Sequence, residues 1–181
     1  MTCIVGIAEN GVVYLGGDSA SSTPDGESFL PTRPKVFLLG EIVIGVSGSG
    51  RVNNLIRHKL SVPPITAEPE HYLAVDFVDA LKAMLKEDGR KDDELMDDSF
   101  LLIGLRGRLF VVDSTFQVSE HRAGYDAIGS GAQVALGSLY NGVSESPLTR
   151  LQIALYAAQQ HNAFVRAPFV FVQTQPEEMS E

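Results

Sequence analysis

The sequence predicts an α+β protein built as a four-layer αββα sandwich: two stacked, largely antiparallel sheets, each covered by a helix pair. Three observations carry this reading. Strand-like and helix-like segments come in blocks (strands, two helices, strands, two helices, a strand), which favours segregated layers over repeated βαβ units. The strand segments are continuously apolar, as in Cys3-Ile4-Val5-Gly6-Ile7-Ala8, the pattern of strands covered on both faces. The 181 residues contain no linker-like stretch and no internal repeat, so a single domain over 1–181 is expected, long enough to bury a sizeable core.

Taken in order, strands over 3–9 and 12–18 flank Asn10-Gly11, a dipeptide suited to a type I′ hairpin turn. Residues 19–32 are rich in Ser, Pro, Gly and Asp and predict a loop or irregular excursion. A second hairpin follows, 35–39 with 41–46, around Gly40. Val52, Leu55, Ile56 and Leu60 recur at helical spacing, and Pro63-Pro64 ends that helix. Leu73, Phe77, Leu81 and Met84 place a core stripe on a helix over 71–87. The charged, Gly-containing stretch 88–98 predicts a solvated loop.

A second set of strands is expected at 100–105 and 109–113, joined near Gly107 and continued by 116–120. Helices over 131–141 and 148–160, the latter after Pro147, and a final buried strand at 169–173 complete the pattern. The tail Pro176–Glu181 is expected to fray.

Composition narrows the function classes. Fourteen basic against 23 acidic residues leave a formal charge of −9 with no Lys/Arg cluster, which argues against a nucleic-acid surface. The single cysteine rules out an internal disulfide framework and suits a reducing compartment. No basic-then-apolar leader opens the chain, and no apolar run approaches the roughly 20 residues a membrane helix needs. A cytoplasmic, membrane-free protein is expected. The four histidines show no metal-type spacing with one another or with Cys3.

The residue with the greatest chemical potential is Thr2. Removal of Met1 would put a hydroxyl and a free α-amine on one residue. The amine, with an ordinary pKa of about 7.7–8.0, can accept the hydroxyl proton near neutral pH. Cys3 is an alternative nucleophile only if two residues are trimmed; a strand-buried thiol is the plainer reading.

Four segments resemble the proteasome-type N-terminal nucleophile (Ntn) hydrolases, particularly HslV and proteasome β subunits. They are Met1-Thr2-Cys3-Ile4-Val5; Asn10-Gly11-Val12-Val13-Tyr14-Leu15-Gly16-Gly17-Asp18; Arg33-Pro34-Lys35-Val36 with Ile44-Gly45-Val46-Ser47-Gly48; and Ala127-Ile128-Gly129-Ser130-Gly131. The likeness runs over nearly the whole chain and implies the Ntn-hydrolase form of the αββα sandwich.

It also implies roles. Thr2 matches the threonine that attacks the scissile carbonyl, and Lys35 the lysine that tunes it, after a loop one residue longer than usual. Asp18 matches the aspartate that holds that lysine. Gly48 matches the glycine whose N–H serves the oxyanion hole, and Ser130 the serine that hydrogen-bonds to the threonine amine. Singly, each has a bland alternative: a strand-end cap for Asp18, a solvated lysine for Lys35, turn glycines for Gly48, Gly129 and Gly131. The sequence departs from the pattern where β subunits carry an Asp and, three residues on, a Ser beside the amine. Asn162 and Val165 stand there, one uncharged and the other unable to hydrogen-bond.

The function so implied is a threonine-type peptidase subunit of a self-compartmentalising protease. It would form homo-oligomeric stacked rings and hydrolyse unfolded polypeptides with Thr2. Gly48-Ser49-Gly50-Arg51 lacks the Lys-Ser/Thr ending of a phosphate loop, so no cofactor is expected in this chain. Any ATP would be used by a partner AAA+ unfoldase. Two other classes stay open: a catalytically inactive assembly subunit, and a small-molecule Ntn amidase on the same fold.

Overall fold

A computed structural model of the chain describes residues 2–175 except 23, 24, 26, 92, 93 and 143; the tail expected to fray lies outside the described residues. Its first hairpin joins β1 (Ile4–Glu9) to β2 (Val12–Gly17). Asn10 and Gly11 turn it with φ of 52° and 75°, the paired positive values that a type I′ turn requires. Strand β5 (Val36–Leu39) and strand β6 (Ile42–Ser47) form the second hairpin.

Helix α1 (Gly50–His58) follows, then a helical rod in three parts: α2 (Pro69–Tyr72), a π-helical turn (Leu73–Phe77) and α3 (Val78–Glu87). Strands β7 (Phe100–Leu105), β8 (Arg108–Val112), β9 (Val118–Glu120) and β10 (Tyr125–Ile128) lead to α4 (Ala132–Asn141), α5 (Pro147–His161) and β11 (Val170–Gln173). Pro147 opens α5, where its missing N–H costs nothing, and Ser146 accepts from Thr149 N–H as the cap.

The strands make a four-stranded sheet in the order β10-β1-β2-β11 and a five-stranded sheet in the order β5-β6-β7-β8-β9, every pairing antiparallel. Side chains alternate between two dry layers, which is why the strands read as unbroken apolar runs. In β1, Val5 and Ile7 face α4 and α5 with Leu139, Leu151 and Leu155, while Ile4 points the other way. It meets Val36, Val43 and Leu102 between the sheets. In β6 and β7, Ile44 and Ile103 face a third layer with Leu55, Phe77 and Leu81 of the other helices. The order is therefore α1/α3, five-stranded sheet, four-stranded sheet, α4/α5: the αββα sandwich, with each sheet buried on both faces.

Three elements differ from expectation. The excursion 19–32 contains a short ribbon, β3 (Ser21–Ser22) paired with β4 (Ser28–Phe29). The segment 125–128 is a strand, β10, pairing with β1 from Ile4↔Ile128 to Ile7↔Tyr125. Four residues with an Asp among them show no usable alternation; the exposed edge of β1 supplies the hydrogen bonds that make them a strand. The helix expected over 71–87 carries the π-turn. Tyr72 and Leu73 are buried, as are Phe77 and Val78. Two adjacent pairs five residues apart share one face only if the helix widens between them, because α-helical neighbours recur at three and four.

Candidate active site

Thr2 enters the fold one residue before the four-stranded sheet begins, and β10 ends beside it. The Thr2 backbone nitrogen donates to Ser130 Oγ at 3.3 Å, and the Thr2 carbonyl accepts from Gly131 N–H and from Ser130 Oγ, each at 3.3 Å. This embrace depends on Gly129. Its φ is +93°, and a Cβ there would collide with the Thr2 carbonyl oxygen. Thr2 is 5% exposed.

Asp18 follows directly on β2 and is buried. Its backbone N–H donates to Cys3 O at 3.1 Å, and its Oδ1 accepts from Cys3 N–H at 2.9 Å and from Lys35 Nζ at 2.8 Å. Its Oδ2 accepts from Ala20 N–H at 3.1 Å. One carboxylate thus ties the residue after Thr2, the strand end and Lys35 together. Lys35, just before β5, is buried too. Burial holds its pKa below the ordinary lysine value, opposed by the charge and hydrogen bond of Asp18. The bland readings of a solvated lysine and a simple strand cap do not survive: the two form a buried ion pair.

Cys3 points away from this cluster into the layer beneath α4 and α5. Burial, reinforced by the Asp18 charge and opposed by Lys35, pushes its thiol up to about 12. At neutral pH it is a protonated, buried thiol, as the plainer reading of the sequence expects.

Gly48 closes the site from the five-stranded sheet, just after β6. Its φ of +101° lies in the region glycine favours, and a Cβ would stand 2.6 Å from Ser99 Cα. The fully buried Ser99 accepts from Ser49 N–H at 2.9 Å through its Oγ, so it props the turn that carries Gly48. Sequence reading missed Ser99. A lone serine at the end of a charged loop carries no signal until β6 and β7 are paired.

Asn162 and Val165 do not reproduce an acidic amine partner. Asn162 Nδ2 donates to Ser130 O at 2.9 Å and its Oδ1 accepts from Phe164 N–H at 3.0 Å, so it braces the loop holding Thr2. Val165 is 1% exposed and packs in the layer with Cys3 and Ala158. It is a core residue.

Two cavities meet at Thr2 and Gly48. One, of about 450 Å³, is bordered by Thr2, Lys35, Gly48, Asn53 and Arg57. The other, of about 590 Å³, is bordered by Thr2, Gly48, Asp98, Asp126 and Ser130. Thr2 and Gly48 border both. Among the described residues no group of three or more His, Cys, Asp or Glu side chains is placed to hold a metal ion. None of their helices is long and apolar enough to cross a membrane.

No protein-family model and no curated protein matches the sequence. Solved structures do. Thiobacillus denitrificans BPH in complex with epoxomicin superposes with a TM-score of 0.83 at 17% identity, covering 98% of this chain and all (100%) of that one. Eukaryotic HslV from Trypanosoma brucei gives 0.72 at 20% identity, covering 95% and 98%. Anbu (ancestral beta-subunit) from Yersinia bercovieri gives 0.71 at 14% identity, covering 97% and 82%. At these identities the likeness speaks for architecture, and over nearly the full length of the chain. The protein has the αββα fold of the proteasome-type N-terminal nucleophile hydrolases.

Proposed function

We propose that this chain is a threonine-type peptidase subunit in which Thr2, exposed by removal of Met1, is the nucleophile. The observation that carries the reading is the junction itself. Thr2 sits where two cavities meet, its nitrogen against Ser130 and its neighbour's N–H on the carboxylate that binds Lys35.

With Met1 gone, the Thr2 α-amine takes the hydroxyl proton as Oγ attacks the carbonyl carbon of the substrate. The Lys35 charge, held by Asp18, favours the developing alkoxide. The oxyanion forms opposite the Gly48 turn, where a backbone N–H contributes on the order of 3 kcal/mol to the barrier. The protonated amine then gives its proton to the leaving nitrogen. Water, deprotonated by the same amine, hydrolyses the ester on Thr2. Ser130 orients the amine through both steps.

The cleft is open at both cavities, so selection among proteins comes from enclosure. We take the subunit to form stacked homo-oligomeric rings, with Thr2 facing an inner chamber and a separate ATP-driven unfoldase delivering unfolded polypeptide. The chain itself uses no cofactor in this scheme. The BPH neighbour binds epoxomicin, and the same inhibitor is the natural probe here.

Intact mass of protein expressed without an N-terminal tag is expected to show loss of one methionine, then a stoichiometric mass gain with epoxomicin that Thr2→Ala abolishes along with peptide hydrolysis. Uniform retention of Met1, or wild-type turnover in Thr2→Ala, would sink the assignment. The inactive-subunit alternative predicts assembly without either mass change.

A further inference from the structure

We propose that the cavity on the Lys35 side of Thr2 receives an acidic side chain, so that the preferred substrates carry Asp or Glu beside the bond that is cut. This rests on the peptidase reading and names the substrate class of that site.

Among the described residues, the lining of this cavity contains three cations, Arg33, Lys35 and Arg57, and no carboxylate. Asp18 neutralises Lys35. Among the described residues no ion pair involves Arg33 or Arg57, although the chain as a whole carries a formal charge of −9. Two guanidinium charges are left beside a cleft in an otherwise acidic protein, a concentration of field that attracts anions.

Arg57 is held in one pose. Its Nη2 donates to Pro34 O at 2.5 Å and its guanidinium lies 3.6 Å from the centroid of the Phe37 ring. Arg33 is exposed and lies with Nη1 2.6 Å from His58 Nε2. Burial, and after it the like charge of Arg33, hold Arg57 below its ordinary pKa. A carboxylate would relieve that repulsion and accept the paired N–H groups that guanidinium offers.

The cavity across Thr2 has the opposite character. Asp98 and Asp126 border it. An acidic side chain is repelled there and drawn to the arginine side, which sets the register of the peptide across Thr2.

The test uses the assembled Thr2→Ala protein, which cannot turn substrate over, and two labelled unstructured peptides differing only by Glu or Gln at the central position. Anisotropy is expected to show the Glu peptide binding about tenfold more tightly, the low end for a charge-assisted hydrogen bond. The ratio should fall toward one in Arg33→Gln plus Arg57→Gln. It should fall part of the way in Arg33→Gln alone, where an exposed side chain leaves the fold intact. Equal affinities, or a ratio unmoved by both variants, overturn the proposal. The same peptides are offered to the Met1-free protein. Glu-selective binding without cleavage supports the pocket and overturns the peptidase reading; Thr2-dependent cleavage without selectivity does the reverse.

Discussion

Lys35 and Asp18 are bound to each other inside the protein, and the pH behaviour of the site follows from that pair. Burial lowers the Lys35 pKa while the Asp18 charge and hydrogen bond raise it. Asp18→Asn removes the charge, the larger of these supports, and leaves the desolvation, so the lysine loses its proton at lower pH. On the proposed mechanism the alkaline limb of the kcat/KM profile is expected to move to lower pH, because the charge assigned there to favour the Thr2 alkoxide disappears sooner. An unmoved limb in a folded Asp18→Asn protein would show that Lys35 ionisation does not govern the rate.

The same pair bears on stability with a definite sign. A lysine whose folded pKa is depressed binds fewer protons in the native state than unfolded. Its contribution therefore rises with pH between the folded value and the ordinary 10.5. Lys35→Ala leaves the buried Asp18 carboxylate with two backbone N–H partners and no counter-charge. The expected cost is on the order of 3–5 kcal/mol, read by denaturant unfolding, so loss of activity in that variant has to be measured on protein shown to be folded.

At the scale of elements, the site is built from ends: the start of β1, the ends of β2, β6 and β10, the start of β5 and the turn after α5. Regular hydrogen bonding stops at these places, so backbone groups and glycines with positive φ are available to shape a cleft. The segment after α5 separates structure from chemistry. Asn162 braces Ser130 and Val165 fills the core against Gly131 and Cys3. Asn162→Asp plus Val165→Ser, the change that would restore a β-subunit-like pair, is expected to destabilise by about 2 kcal/mol or more, since it trims a buried side chain and buries a hydroxyl. A fall in Tm with an unchanged pH profile is the expected result. A moved profile at constant Tm would place the pair beside the Thr2 amine instead.

At the scale of the molecule, the outer face of the α4/α5 layer exposes Tyr140 (70%), Ile153 (47%) and Tyr156 (48%). Apolar side chains of this size on adjacent helices suit contact with further copies of the chain, as the proposed rings require. Light scattering at micromolar concentration is expected to report at least a dozen subunits or a smaller ring in exchange with it, and Ile153→Glu to shift the distribution toward monomer with unaltered far-UV circular dichroism. A strict monomer at every concentration would remove the enclosed chamber and leave the amidase or inactive-subunit readings.

Much of this architecture is legible in the sequence because it rests on local chemistry. Asn10-Gly11 specifies its turn through the φ values those residues tolerate, and apolar runs such as Ile42-Val43-Ile44 announce burial on both faces wherever the covering layers come from. Thr2, Asp18, Lys35, Gly48 and Ser130 could be named because their spacing matches a known pattern. Three-dimensional packing decided the rest. Strand β10 exists because β1 offers an open edge, and Ser99 matters because β7 brings it under Gly48. Val165 belongs to the core because α5 returns over Cys3, and Arg57 faces the cleft because α1 leaves the five-stranded sheet beside Thr2. Each is a contact between residues far apart in the chain. Periodicity and propensity act over a few residues, so such contacts exist for the reader only once the sheets have paired and the layers have closed.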